Sequence, residues 1–267
     1  MKYTIEATIP TQQYGNIRPV FEVDENESEV LDKLENLWST FGESPLKKRA
    51  DYGELLKTFT GEEVYYNDDT HKYYDVDGNL LLSGSQYAKQ FAKPFDQDAV
   101  SKAVSNKTGE PQDVILKKWS LGAAIANNYG TAVHDAVEFM LMGGDIEKVP
   151  LIVRDTVSRL HGYVDSMSAN KTMVPVTEVI ISDVSTKKVG RVDCLLVDDV
   201  KEPKNFIILD YKTNRELKND KLKVYTKQLE YYRDTLTAHG MHCKGLFVVH
   251  DDGENLTDHD VYEQEAD

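Results

Sequence analysis

GRVDCLLVDDVKEPKNFIILDYK, residues 190–212, reads as two strands joined by a polar loop. Residues 191–197 are rich in β-branched and aliphatic side chains. Residues 206–211 form a short apolar run of the kind found inside a sheet. Between them Asp198, Asp199, Lys201, Glu202, Pro203 and Asn205 mark a loop. Two acids break the apolar pattern, Asp193 within the first strand and Asp210 at the end of the second. Lys212 follows Asp210 by two positions, so strand alternation puts both on one face. A buried carboxylate is costly unless it is paired or bound to a metal. Two carboxylates and a lysine converging on adjacent strands are satisfied either by a shared divalent cation or by ordinary salt bridges in a hairpin. This stretch alone leaves both open.

Working outward, Thr186, Lys187 and Lys188 make a turn before this unit, and residues 176–182 read as a strand carrying Glu178. After it, residues 217–236 have helical spacing, with Gln228 and Tyr232 four apart on one face and Lys221, Lys227 and Arg233 supplying charge. Gly240 ends that helix and residues 245–250 form a last strand, with Cys243 just before it. The tail holds Asp251, Asp252, His259 and Asp260 among turn residues, which reads as solvated acid. Upstream, a long helical pattern runs from Pro111 to the stop at Gly143 and Gly144. His134 and Glu138 share one of its faces. Gly130 and Thr131 lie one turn earlier, where small residues admit another backbone or a ligand. Residues 151–169 form a further helix, with Leu151, Ile152, Val153, Val157, Leu160 and Val164 facing inward.

Residues 62–82 read as strands punctuated by Asn67-Asp68 and Asp77-Gly78. Asp75, Asp77 and Asn79 lack the glycine and distal glutamate of a calcium loop, so a plain Asp-Gly hairpin is expected. Ser83 to Ser85 can cap a helix over residues 86–92. At the N-terminus, residues 2–9 and 17–23 alternate around a Gly15-Asn16 turn signal, and a helical pattern follows Ser28. Residues 1–60 are therefore expected to form a ββα accessory module and a connector with one short helix, and residues 61–267 the main domain.

Composition narrows the function. Of 267 residues, 40% are hydrophobic and 29% charged, as in a soluble globular protein. No apolar run spans a membrane and the N-terminus lacks a signal-peptide core, so cytoplasmic location is expected. Two cysteines cannot make a four-cysteine zinc or iron–sulfur site. No GxxxxGK[ST] phosphate loop is present, which argues against ATP hydrolysis. The net charge of -15 argues against nucleic-acid binding by whole-protein electrostatics, but not against a local groove or a metal-bridged phosphate.

The order of motifs is a helix with GTAVHDAVE, a strand with Glu178, GRVD, LDYKT and a helix with QLEYY. Together, over about residues 110–250, they resemble the PD-(D/E)XK nuclease superfamily and within it the RecB-type exonuclease domain. Residues 62–95 look like the entry segment of phage-encoded members. The resemblance implies an α/β (α+β) domain with a restriction-endonuclease-like mixed central sheet flanked by helices. It implies that His134, Asp193, Asp210 and the carbonyl of Tyr211 hold Mg²⁺ or Mn²⁺, and that Lys212 orients or deprotonates the attacking water. Glu138 and Glu178 are candidates for a second metal or for support. Gln228, Tyr232, Thr131 and Arg191 are expected to contact DNA. The implied activity is a metal-dependent DNA exonuclease of recombination, repair or phage DNA processing, without an iron–sulfur cluster. Its expected partners are DNA and a recombination or single-strand-binding protein, in the host cytoplasm for a phage-encoded chain. The alternatives are a nicking, flap or CRISPR-adaptation-type endonuclease, or a non-catalytic acidic DNA mimic or binding protein on the same fold.

Overall fold

The computed structural model describes residues 52–262 and, before them, the backbone of four short strands. These are β1 (Tyr3–Glu6), β2 (Ile9–Thr11), β3 (Gly15–Ile17) and β4 (Val20–Val23). β1 pairs antiparallel with β4 and β2 with β3, as alternating sequence predicts for a hairpin. Gly15 and Asn16 fall within β3, opposite Thr11 and Pro10, rather than at the turn. The helix expected after Ser28 lies outside the described residues. A strand, β5 (Glu54–Lys57), occupies part of the expected connector.

The chain divides into two compact units, residues 1–55 with 65–71, and residues 56–64 with 72–267. In chain order the elements after β5 are β6 (Glu63–Asn67), β7 (Lys72–Tyr74), β8 (Leu80–Ser83), α1 (Gly84–Lys89), α2 (Gln97–Thr108), α3 (Gln112–Leu141) and α4 (Leu151–Lys171). Then come β9 (Val174–Asp183), β10 (Lys188–Val197), β11 (Asn205–Lys212), α5 (Asn219–Thr237), β12 (His242–Asp251) and β13 (Leu256–Asp260). Cys243 thus lies inside the last long strand, not before it.

Local sequence explains the boundaries. Ser83 and Gln86 form a reciprocal capping box that starts α1. Asp75 accepts from the amides of Asp77 and Asn79 and from the Asn79 side chain, which builds the Asp-Gly turn between β7 and β8. In the 198–204 loop, Asp198 accepts from the Lys204 and Asn205 amides and the Asn205 side chain. The Asn205 hydrogen bonds hold its carboxyl down at about 2.

Nine strands make one mixed sheet, ordered β13-β12-β11-β10-β8-β7-β6-β5, with β9 also paired to β10. Helices bury one layer on each side. On one, Val133 and Val137 of α3 and Val153, Val157, Leu160 and Val164 of α4 pack with Leu196, Leu209 and Val249. On the other, Leu229 and Leu236 of α5 pack with Leu195, Phe206, Ile208 and Val248. Leu151 and Ile152 do not join: both are 80% exposed. They occupy the first turn of α4 after Pro150, and the inward stripe begins only at Val153.

Candidate metal centre at the parted strands

The site begins with a gap in the sheet. β10 pairs with β9 from Lys188 to Val197 except at Asp193, which uses one edge. On the other edge β11 pairs antiparallel only with residues 194–197, and β8 pairs parallel only with Lys188 and Val189. Residues 190–193 are left between them. There the backbone amide of Tyr211 finds no ladder partner on β10 and donates instead to the Asp193 carboxylate at 2.8 Å. The side chain of Asp193 therefore closes the place where two strands part.

A second irregularity aims the acids. Val192 and Leu195 face the α5 layer although three residues separate them, and so do Val176 and Val179 on β9. Strict alternation would put each pair on opposite faces, so both strands slip by one at this point. The residues at the slip are Asp193 and Glu178, directly opposite in register yet missing from the ladder. Glu178 takes a positive φ of 49°, a conformation that glycine adopts cheaply and glutamate does not.

Three side chains meet there. His134 Nδ1 lies 3.6 Å from Asp193 Oδ1 and 3.9 Å from Glu178 Oε1. Their ligand atoms all lie within 4.8 Å of one another. His134 is carried by α3, one residue past buried Val133, and its ring meets the Tyr211 ring edge-on at 5.7 Å. Burial by itself lowers the imidazole pKa, but the Asp193 charge and the Glu178 hydrogen bond outweigh it and raise it to about 9. At neutral pH a proton thus sits where the two carboxylates could share a cation.

Asp210 and Lys212 form a second pair beside the trio. Nζ lies 2.5 Å from Asp210 Oδ2, and both side chains are largely buried. Burial pushes the Asp210 carboxyl up against the pull of Lys212. Burial pushes Lys212 down, but Asp210 and Asp193 outweigh it and hold the group as an ammonium. Asp210 Oδ2, the oxygen that faces the Lys212 ammonium, is sealed from solvent. A His–Glu–Asp trio whose ligand atoms converge beside a further buried carboxylate is an oxygen-rich donor set that fits a hard divalent cation. Among side chains, Glu178 rather than the expected Asp210 completes the group around His134 and Asp193.

The other expected residues are less uniform. Arg191 Nη1 lies 3.8 Å from Glu178 Oε2, so it flanks the trio. Glu138 lies near Glu178 rather than within the group. Burial, Glu178 and Asp135 raise its pKa, restrained by Arg191 and a Thr177 hydrogen bond. Thr131 is exposed, and it is Gly130 that faces another element, with Thr213 closest. Tyr232 is not placed as a surface contact. It is 3% exposed, its hydroxyl accepts from Gln228 at 2.9 Å, and its ring packs against Gly84 and Gly190. A Cβ added at either glycine would come within 2.2 Å of that ring. Gln228 is half-buried and spends its amide on Tyr232.

The tail cluster is not solvated acid throughout. Asp251 is 1% exposed and accepts from Arg159 Nε at 2.6 Å, Arg159 Nη2 at 2.9 Å and Thr156 at 2.9 Å. It is the buried counter-ion of α4. Another trio, Glu62, Asp183 and His239, is equally tight. Its groups are already engaged: Glu62 by Ser182 and Val184, Asp183 by Ser185 and Thr186, His239 by the Ser182 carbonyl. One residue at the site escaped the sequence reading. Tyr225 lies under Lys212 Nζ, 4.7 Å from ring centre to nitrogen. It stands three residues before Gln228 on the same helix face, which is the signal that could have found it.

No protein-family model matches the chain, and no curated protein matches it. Among solved structures, the crystal structure of SSO0001 is similar over 51% of this chain and 65% of its own length, at 18% identity and a TM-score of 0.27. The match thus spans less than two thirds of that chain, and a likeness of this degree carries no argument about fold or activity. No described helix is long and apolar enough to cross a membrane.

Proposed function

We propose that the chain is a divalent-metal-dependent DNA exonuclease on a restriction-endonuclease-like core, of the RecB type within the PD-(D/E)XK superfamily. The observation that carries this reading is the buried Asp210–Lys212 pair standing beside the His134–Glu178–Asp193 trio where β10 and β11 part. Acid-x-lysine on one strand, with a second acid on its neighbour, is an arrangement suited to phosphodiester hydrolysis. It supplies ligands for a cation and a nitrogen for the water in the same small space.

His134, Glu178, Asp193 and Asp210 would hold Mn²⁺ or Mg²⁺. The imidazole favours Mn²⁺, the softer of the two. When bound, such an ion supplies Lewis acidity toward a phosphate oxygen. The protein does the rest. The Tyr211 amide fixes one Asp193 oxygen and leaves the other facing His134. Tyr225 supports the Lys212 ammonium from below, and Asp210 aims it. Burial lowers Lys212, and the charges of Asp210 and Asp193 raise it. Neutralising those charges would move Nζ toward the form that accepts a proton from an attacking water.

Digestion of end-labelled linear, covalently closed circular and single-stranded DNA with Mn²⁺ or Mg²⁺ tests the reading. The expected result is metal-dependent loss of the labelled end of linear DNA, with closed circles resistant. Equal cutting of closed circles would replace the exonuclease with an endonuclease. Binding without cleavage under every metal would leave a DNA-binding protein.

A further inference from the structure

A strip of rings and cations lies away from the metal centre. Half-buried Tyr87 of α1 meets exposed Phe91 edge-on at 5.2 Å and rests on the buried Tyr231 of α5 at 4.9 Å. Lys188 Nζ stands 5.4 Å over the Tyr231 ring, and Lys227 Nζ 5.9 Å over Phe91. Leu82, Tyr87, Lys187, Lys188, Tyr231 and Arg233 surround a cavity of about 310 Å³ at the tip of the β9–β10 hairpin. The strip also holds acids, but Glu230 is paired with Lys227 and Asp234 with Arg233. Lys187 and Lys188 have no acidic partner among the described residues.

Lys187 is the informative member. It caps the turn after residues 184–186 with a φ of 59°, where glycine would be the least strained residue. A lysine there strains the fold slightly and puts an unpaired charge at the cavity mouth. In a chain of net charge -15, these two adjacent cations share one cavity rim with half-buried Tyr87, next to exposed Phe91. Aromatic faces with phosphate-reaching cations are the chemistry that holds unpaired nucleotides, because every base can stack and every linkage carries a charge.

We propose that this strip is a docking surface for single-stranded DNA, distinct from the metal centre. Lys188 lies five residues from Asp193 on β10, roughly 17 Å at about 3.4 Å per residue. The inference deepens the function proposed above and rests on it for the identity of the polymer.

The test is equilibrium binding of a fluorescent oligothymidylate of about 16 nucleotides to the full chain in EDTA, where no cleavage occurs. Lys187→Gly is expected to weaken binding several-fold and to make the salt slope shallower by about 0.7, with no fall in unfolding temperature. Tyr87→Leu is expected to weaken binding about tenfold by losing a stacking face. Asp193→Asn is expected to bind the oligomer as wild type does while losing metal-dependent cleavage. Wild-type affinity in both strip variants overturns the proposal, and if wild-type protein still degrades DNA the nuclease reading survives. Strip-dependent binding in a protein that never cleaves upholds the surface and refutes the nuclease. No binding of the oligomer by wild type, or a preference for blunt duplex untouched by either variant, also overturns the surface.

Discussion

Asp193 has two separable duties at the residue scale. One oxygen takes the Tyr211 amide, and the other faces His134. Asparagine can keep the first duty through its amide oxygen but loses the charge. Asp193→Asn is therefore expected to melt close to wild type while losing measurable metal affinity in calorimetric titration. Asp193→Ala removes the acceptor as well and leaves the Tyr211 amide unpaired, for a further cost of about 1–3 kcal/mol in denaturant unfolding. Equal metal affinity in wild type and Asp193→Asn would remove Asp193 from the ligand set. Lys212 divides differently. Lys212→Ala keeps the trio, so metal binding is expected to persist while single-turnover cleavage falls by about two to four orders of magnitude, the range for losing a general base.

At the element scale the sheet depends on two close contacts that link distant parts of the chain. The first is Tyr232 of α5 lying on Gly190 of β10 and Gly84 of α1. Gly190→Ala would push a methyl group into the ring face. The expected cost is about 1–3 kcal/mol of overpacking, read as a lower unfolding temperature. The second is the Arg159–Asp251 pair between α4 and β12. Burial raises the Asp251 carboxyl, but hydrogen bonds from Arg159 and Thr156 win and leave it below its ordinary value. The folded state thus binds this proton more weakly than the unfolded chain. Its contribution is complete above the unfolded value of about 3.9 and is lost as pH falls through the lowered folded value. Asp251→Asn is expected to cost about 3 kcal/mol at neutral pH, the low end for breaking a buried pair, because Arg159 keeps some solvent. Urea unfolding should show that difference shrinking below about pH 4; a difference independent of pH would refute the assignment. These contacts also mark what could be read from sequence. Alternation put Asp210 and Lys212 on one face, and helical spacing put Gln228 beside Tyr232, and both hold in the structure. Spacing tells which residues share a face but not where the face points, so Tyr232 was expected at DNA and lies in the core. The partner of Asp251 stands 92 residues away, beyond any local pattern. The slip at Glu178 and Asp193 leaves both strands apolar on either side, so only pairing reveals it.

At the scale of the whole molecule, charge sets how DNA could be held. A body of net charge -15 repels a long polyanion, so DNA binding of the kind proposed would come from local cations. Arg191 faces Glu178, Lys212 faces Asp210, Lys227 faces Glu230 and Arg233 faces Asp234. Lys187 and Lys188 lack such acids among the described residues. Counting these two and Arg233 of the same cavity gives about three phosphate contacts, hence a slope of log K against log salt near -2 for a single strand. Raising salt from about 50 to about 200 mM should then weaken binding only about twentyfold, against the roughly 10³–10⁵ lost by proteins with six to ten phosphate contacts. Titration of the oligothymidylate at several salt concentrations in EDTA measures this slope directly. A value steeper than about -5 would mean that lysines outside the strip contribute as many phosphate contacts as those within it. A shallow slope matches a protein that grips a short stretch of strand near one site and gains little from the duplex beyond it. Such a grip favours ends, where unpaired nucleotides arise by fraying, over the interior of a closed circle.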